Sequence, residues 1–284
     1  MQPLSVRPDG VKPQTASNPL TERIMSAMAG PLPEFLPQIL IREFASARCG
    51  ATGIATSIGQ FRPRAILPYH VYPCSEAATV LAGKGTFSAE GRYYDLQPFD
   101  CIHFPAGLAH EVRNCSSADP LIVHFAFASA SPVRETVQNN FVVQDRRSGT
   151  PGQHEPEHVV RYADAPRYHL ADGATFCDLF AGHLGSAGIC GGYGAFIPGS
   201  SLPCHVHNYD ESITIVSGEA LCYVMGRQYR MAEYDTAFVP QGRPHRFLNQ
   251  SSGHMAMLWV YAGSEPERTV LDSGYCSGEL RLNF

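Results

Sequence analysis

The stretch of sequence that decides the fold is residues 199–211, GSSLPCHVHNYDE, which places His205, His207 and Glu211 at even spacings. Successive side chains of a β-strand point to opposite faces, so in a continuous strand these three would project to one face. Imidazole and carboxylate groups are donors that bind divalent transition metals. The stretch therefore predicts a strand that carries part of a metal site.

The stretch has a counterpart 135 positions earlier in the chain. Between residues 67–114 and 202–249, 15 of 48 gap-free positions are identical, whereas ordinary residue usage would give about three. This period is far longer than a solenoid repeat and predicts two copies of one small domain. The identical residues of the first copy, each of which recurs 135 positions later, are Leu67, Pro68, His70, Val71, Glu76, Thr79, Gly83, Gly91, Arg92, Tyr94, Asp100, Pro105, Gly107, His110 and Asn114.

Composition restricts the class of protein. The 284 residues suffice for two domains with their own cores. A net charge of −5 without runs of lysine or arginine argues against nucleic acid and membrane surfaces as partners and leaves a small-molecule substrate. No apolar run approaches the ~20 residues that span a bilayer, and Met1–Ala29 lacks the pattern of a secretory signal. Nine scattered cysteines predict a reduced, cytoplasmic protein in which Cys204 packs outward as a thiol.

Short alternating apolar runs broken by Gly, Pro and Asn predict an all-β chain of two tandem barrels or sandwiches. Residues 1–34 form an N-terminal arm with a short helix over Thr21–Met28, expected to pack on a neighbouring domain or subunit. Residues 35–130 form the first domain, 131–157 a linker and 158–265 the second domain. Residues 266–284 form a tail, expected to dock onto the other domain.

The second copy carries a complete set of metal donors. A later strand brings His245, which a barrel would place beside His205, His207 and Glu211. Three neutral imidazoles and one carboxylate suit Fe(II), Mn(II), Ni(II), Co(II) or Zn(II). Near this site Arg243 is interpreted either as a partner for a substrate carboxylate or as a solvated loop residue, and Trp259 as a core residue.

The two motifs closely resemble the signature of the cupin superfamily, G-x5-H-x-H-x3,4-E-x6-G followed by G-x5-P-x-G-x2-H-x3-N. The second copy departs from it only at Tyr234, where the signature has glycine. The resemblance covers roughly residues 35–265 and implies a bicupin, that is two tandem cupin (double-stranded β-helix, jelly-roll) barrels, with a homodimer as the expected assembly. It does not fix the reaction, because cupins include dioxygenases, decarboxylases, isomerases, lyases, hydrolases, sugar-binding proteins and storage proteins.

The first copy departs further from the signature. Arg64 and Phe99 replace glycines, and Tyr72 stands where the second histidine belongs. The residues that remain, His70, Glu76 and His110, are a set that can hold iron on one face. Tyr72 either coordinates a metal as phenolate, hydrogen-bonds a substrate or fills an abandoned pocket. Whether the first copy binds metal or is a degenerate site stays open.

Three classes of function follow. The first is a non-haem Fe(II) dioxygenase that acts on a small organic or aromatic substrate in the C-terminal barrel, with Glu211 as a metal ligand or a catalytic base. The second is a non-oxidative isomerase, lyase, decarboxylase or hydrolase that uses Mn(II), Zn(II) or Ni(II) as Lewis acid, with Glu211 or Tyr72 as the catalytic residue that moves a proton. The third is a non-catalytic protein that binds a small ligand. We rank them in this order, with Fe(II) as the favoured metal.

Overall fold

The computed structural model describes residues 21–26, 33–144, 146–147 and 155–280. These residues form strands almost throughout, which confirms the all-β prediction. No helix in this part of the chain has the length and apolar character needed to cross a bilayer. The first half contains a 3-10 turn at Ala47–Cys49 and the strands β1 (Arg23–Ser26), β2 (Glu34–Leu36), β3 (Ile39–Glu43), β4 (Ala55–Phe61), β5 (Ile66–Val71), β6 (Glu76–Ala82), β7 (Gly85–Ala89), β8 (Arg92–Leu96), β9 (Cys101–Phe104), β10 (His110–Asn114), β11 (Leu121–Phe127), β12 (Glu135–Thr136) and β13 (Arg146–Arg147).

The second half repeats this order of elements. It contains a 3-10 turn at Gly182–Leu184, a short helix α1 (Ser273–Ser277), and the strands β14 (His158–Val160), β15 (Tyr168–Ala171), β16 (Ala174–Phe180), β17 (Cys190–Phe196), β18 (His205–Val206), β19 (Glu211–Ser217), β20 (Ala220–Val224), β21 (Arg227–Met231), β22 (Asp235–Val239), β23 (His245–Leu248), β24 (Met255–Tyr261) and β25 (Thr269–Val270).

Each half closes two facing sheets around an apolar interior, as a jelly-roll does. In the first barrel the sheet β14-β9-β6-β11-β4-β3-β2 faces β12-β5-β10-β7-β8-β13. In the second, β1-β22-β19-β24-β17-β16-β15 faces β21-β20-β23-β18-β25. Each interior has its own buried cluster, and a third cluster between the barrels joins their two larger sheets. The prediction of two tandem cupin barrels is confirmed.

The two halves exchange strands. β14 precedes the second barrel in sequence but pairs with β9 of the first, and β1 pairs with β22 of the second. Before β14, the fully buried Glu157 accepts hydrogen bonds from Arg92 at 2.5 and 2.8 Å. Before β1, Glu22 pairs with Arg227 at 3.1 Å. The repeated arginines Arg92 and Arg227 therefore hold the strand that the other half contributes.

This exchange corrects two interpretations of the sequence. The helix over Thr21–Met28 is wrong where the structure describes it, because Arg23–Ser26 hydrogen-bonds to the edge of β22 and this pairing overrides local helix preference. Arg243 is neither solvated nor free for a substrate, since it is buried and lies 2.6 Å from the carboxylate of Glu22. The arm packs on the second barrel of its own chain.

The segments after each barrel return to that barrel, and we call them the first strap (residues 132–144) and the second strap (residues 266–280). β12 of the first strap pairs with β5, and β25 of the second strap pairs with β18. The described start of the predicted linker over 131–157 is therefore part of the first barrel. The described part of the tail over 266–284 packs on the second barrel, so its expected docking onto the other domain is wrong.

The end of each strap is fixed at matching places by different chemistry. Cys204 forms a disulfide with Cys276 in α1, so the prediction of a thiol at Cys204 is wrong. The matching position of the first barrel holds Tyr69, whose ring packs on Phe141 of the first strap with a centroid distance of 5.0 Å. The two straps are therefore structural equivalents, one bonded covalently and one held by ring packing.

The three residues that replace signature glycines keep the glycine backbone conformation. Arg64, Phe99 and Tyr234 have φ values of 65°, 69° and 64°, in the left-handed region that disfavours side chains. The Phe99 ring offsets this cost by packing between the barrels, 4.8 Å from the ring of Tyr193. Arg64 is exposed, so no burial offsets its strain.

Candidate metal centre

The four donors of the second barrel come from both of its sheets. His205 begins β18 in the smaller sheet, Glu211 begins β19 in the larger sheet, and His245 begins β23. His207 lies in the turn between β18 and β19. The predicted single continuous strand is therefore wrong, because the chain changes sheets between Val206 and Glu211. The donors nevertheless converge, since both sheets face the same interior.

The geometry brings these donors together in a buried cluster. The ligand atoms of His205, His207, Glu211 and His245 all lie within 4.8 Å of one another. Glu211 Oε2 is 2.6 Å from His245 Nε2 and 3.3 Å from His207 Nε2. None of the four side chains is more than slightly exposed.

Backbone carbonyls orient the three imidazoles. Nδ1 of His205, His207 and His245 lies 2.9, 2.7 and 2.9 Å from the carbonyl oxygens of Pro203, Glu267 and Arg243, respectively. A neutral imidazole that donates from Nδ1 leaves the Nε2 lone pair free for a metal. Nε2 of His207 and of His245 and Oε2 of Glu211 are buried and make no hydrogen bond of good geometry. Such orphaned atoms fit a divalent cation between them.

The electrostatics favour the same conclusion. Burial, followed by the neighbouring His245 and His207, lowers the pKa of His205 well below its ordinary value, so its imidazole is neutral. Burial raises the pKa of Glu211, but His245 and His207 outweigh this effect and lower it overall. The cluster therefore presents a neutral imidazole at His205 and a carboxylate at Glu211, the protonation states that metal binding requires of these two ligands.

The first barrel holds a reduced version of this cluster. The ligand atoms of His70, Glu76 and His110 also lie within 4.8 Å of one another, and His110 Nε2 is 2.9 Å from Glu76 Oε2. Tyr72 occupies the place of His207, with its ring edge-on to His70 at 5.4 Å and 4.8 Å from the ring of Phe127. Burial and the charge of Glu76 raise the pKa of Tyr72, which disfavours the phenolate. Metal binding here stays a prediction, as does a catalytic role for Tyr72.

The two barrels enclose cavities of very different size at matching places. The cavity of the second barrel measures about 20 Å³ and is lined by the donors His205 and Glu211 together with apolar and aromatic side chains. That of the first barrel measures about 640 Å³, opens to the surface and includes Tyr72 and Glu76 in its lining. A cavity of 20 Å³ holds about one water molecule.

Sequence reasoning missed an arginine in each barrel. Arg268 of the second strap lines the second cavity beside His205 and Glu211, and Arg134 occupies the matching place in the first strap. The sequence signal that could have revealed them is a Pro-x-Arg triplet at residues 132–134, which recurs 134 positions later at residues 266–268, outside the aligned motifs. Trp259 was predicted as core, and it is buried; it also lines the second cavity, and its indole N–H has no hydrogen-bond partner.

A family model described as the cupin domain matches residues 58–127 and again residues 192–261. The chain therefore belongs to the cupin superfamily, and its two tandem cupin domains make it a bicupin. A search among curated proteins finds no significant match.

Solved structures of oxalate decarboxylases resemble most of the chain. The formate complex of oxalate decarboxylase from Lactobacillus farciminis has a TM-score of 0.71 at 15% identity, covering 91% of this chain and 90% of that one. Oxalate decarboxylase from Bacillus subtilis at pH 4.6 has a TM-score of 0.68 at 15% identity over 91% and 79%. A third structure, of the Bacillus subtilis enzyme and concerned with its Mn(II) centres, has a TM-score of 0.69 at 16% identity over 91% and 80%. At such identities the likeness establishes the shared fold.

Proposed function

We propose that this protein is a metal-dependent enzyme whose second barrel carries out a non-oxidative reaction, decarboxylation by preference, on a small carboxylate. The observation that carries the proposal is Arg268, which lines the same closed cavity as the metal donors His205 and Glu211. The structural likeness to oxalate decarboxylases supports this class of reaction.

The residues around the cavity suit an anionic substrate. Arg268 has a planar guanidinium that binds carboxylates through charge-assisted hydrogen bonds. The buried indole N–H of Trp259 is a second donor in the cavity wall. The remaining lining is mostly apolar, which strengthens these interactions by excluding water.

The metal would be held by His205, His207, Glu211 and His245. When bound, it supplies Lewis-acid polarisation of the substrate carboxylate. Mn(II) is named for one of the similar structures, and Fe(II), which the sequence favoured, fits the same donor set. In this arrangement Glu211 acts as a ligand and not as the base suggested from sequence.

A series of neighbouring polar side chains leads from the cavity to the surface and suits the supply of a proton. Tyr168 lines the cavity and donates from its hydroxyl to Asp178 Oδ1 at 2.7 Å. Burial raises the pKa of Asp178, which eases its protonation. Asp178 Oδ2 lies 3.7 Å from Nε2 of the half-exposed His183. We assign Tyr168 the delivery of the proton that replaces the lost carboxyl group, with Asp178 and His183 returning it from water.

The size of the cavity favours this reaction over the dioxygenase ranked first from the sequence. A dioxygenase must accommodate its organic substrate and dioxygen at the metal together. The second cavity, at about 20 Å³, leaves little free space beside its donors, so it must widen to admit even a short carboxylate. Decarboxylation requires this widening for one organic reactant only, which favours it over a reaction that must place two reactants at the metal.

The test uses protein reconstituted with Mn(II) or Fe(II), with oxalate as the probe. Decarboxylation would convert oxalate and one proton into formate and carbon dioxide, without net uptake of oxygen. We expect formate release in wild type, a loss of about 100-fold or more in Arg268→Gln, and unchanged activity in the exposed control Arg48→Gln. Stoichiometric oxygen uptake would instead support the dioxygenase, and no turnover with oxalate and other short carboxylates would refute the proposal.

A further inference from the structure

The first barrel contains an open version of the cavity that the second barrel has almost closed. Its volume of about 640 Å³ falls within the range of small-molecule binding sites. Matching positions line both cavities, which identifies them as equivalent. The apolar lining of the first includes Pro33, Phe35, Ile41, Leu67, Phe125 and Phe127, and the second has Tyr168, Leu170, Phe176, Leu202, Trp259 and Tyr261 in the corresponding order.

Smaller side chains at three matching positions contribute to the larger volume, and the first cavity also extends along residues 42–49 to Met25 of β1. Pro33 of the first barrel corresponds to Tyr168 of the second. In the same way Ile41 corresponds to Phe176, and Phe125 corresponds to Trp259. Each of these exchanges removes part of a ring or a whole ring from the wall. The first barrel therefore has room for a ring or an acyl chain that the second excludes.

Buried polar atoms without partners lie beside this cavity, next to its lining residues Tyr72 and Phe35. His70 is fully buried, and its Nε2 makes no hydrogen bond. Nη1 of Arg134 is also buried and makes no hydrogen bond. The guanidinium carbon of Arg134 lies 5.5 Å from the centre of the Phe35 ring, and Phe35 lines the cavity.

We propose that the first barrel is a second ligand site, which binds an aryl or acyl monocarboxylate with its carboxylate on Arg134 and its apolar body against the aromatic wall. The buried Nη1 of the Arg134 guanidinium favours an anion, because leaving a buried cationic donor unpaired is costly. An apolar wall of this size is stabilised by covering it with apolar surface, at about 25 cal/mol per Å². A short carboxylate supplies the anion but not the apolar surface. A neutral aromatic molecule supplies the apolar surface but not the anion.

This proposal does not depend on the reaction proposed for the second barrel. The first experiment is a calorimetric titration of the full-length protein with cinnamate, acetate and cinnamamide. We expect cinnamate to bind at one site per chain, at least about 10-fold more tightly than acetate or cinnamamide. Arg134→Gln should weaken cinnamate binding by about 10-fold or more, whereas the matched Arg268→Gln in the second barrel should leave it unchanged.

Wall variants test the shape of the site. Ile41→Phe imports the bulkier residue of the second barrel and should weaken cinnamate binding several-fold without weakening acetate binding. Phe35→Ala, at a partly exposed position, should also weaken it, and the control Arg230→Gln, at an exposed residue that lines neither cavity, should not. The proposal is overturned if cinnamate does not bind, if cinnamamide binds equally well, or if Arg268→Gln abolishes binding and Arg134→Gln does not. Those outcomes would leave the oxalate test, which reports on Arg268, unaffected.

Discussion

The first barrel of this bicupin has a wide cavity and an incomplete set of metal donors, whereas the second has a complete set and almost no free space. Both barrels share the same strands, strap and strap arginine, so the contrast arises from a few side chains. Tyr72 replaces one imidazole donor, and three smaller residues open the wall. A duplicated fold can thus keep its framework while one copy retains coordination chemistry and the other gains binding volume.

Exchange of one residue between the barrels should produce the largest effect. His207→Tyr gives the second barrel the donor set of the first, and we expect its metal affinity to fall by about 100-fold or more, with loss of activity. The reverse variant, Tyr72→His, should strengthen metal binding in the first barrel. Elemental analysis and titration against a competing chelator measure both changes. Full metal retention in His207→Tyr would show that the fourth donor is dispensable.

Removal of a buried carboxylate that holds an exchanged strand should have the next largest effect. Glu157→Gln removes the buried carboxylate that pairs closely with the Arg92 guanidinium and leaves it only Glu90 at 4.0 Å, so we expect the free energy of unfolding to fall by about 3–5 kcal/mol. Urea denaturation measures it. Glu43→Gln, which breaks an exposed pair at 3.9 Å with Arg48, is the control and should change stability by less than about 1 kcal/mol. Equal effects of both variants would contradict the assigned role of Glu157.

Reduction of the second strap's disulfide should have a somewhat smaller effect. Cys204→Ser combined with Cys276→Ser removes a link across 72 residues, and we expect stability to fall by about 2–4 kcal/mol. Treatment of wild type with a dithiol should lower its melting temperature to that of the double variant. Cys115→Ser, at an exposed free cysteine, is the control and should melt like wild type. A wild type insensitive to the dithiol would show that the two thiols are not bonded.

Restoring a signature glycine should have the smallest effect and the opposite sign. Arg64→Gly relieves a side chain at φ 65° and should stabilise the protein by about 0.5–1 kcal/mol. The matching position of the second barrel already has Gly199 at φ 81°, and Gly199→Arg should destabilise by a similar amount. Melting temperatures of the two variants should therefore move in opposite directions, and a destabilised Arg64→Gly would contradict the strain assigned to Arg64.

The sequence predicted the barrels and the donors because both rest on repeated local patterns. The spacing of His205, His207 and Glu211 relates donors within one short segment. The prediction that they converge therefore holds even though the chain changes sheets between them. The exchanged strands, the straps and the link from Cys204 to Cys276 join segments far apart in sequence. Strands of two to four residues carry too little periodicity to reveal such partners. Long-range pairing, and not residue chemistry, is what sequence reasoning could not supply.

The exchange of β1 and β14 also governs what happens when the chain is cut. The peptide connection between the halves lies after β13 and before Glu157. The N-terminal fragment would carry β1, which pairs in the second barrel, and would lack β14, which pairs in the first. The C-terminal fragment would carry β14 and lack β1. Each fragment alone would therefore expose an open sheet edge. Mixed together, the fragments should recombine without a covalent link. In the intact chain neither barrel can open alone, so the two should melt in one cooperative transition.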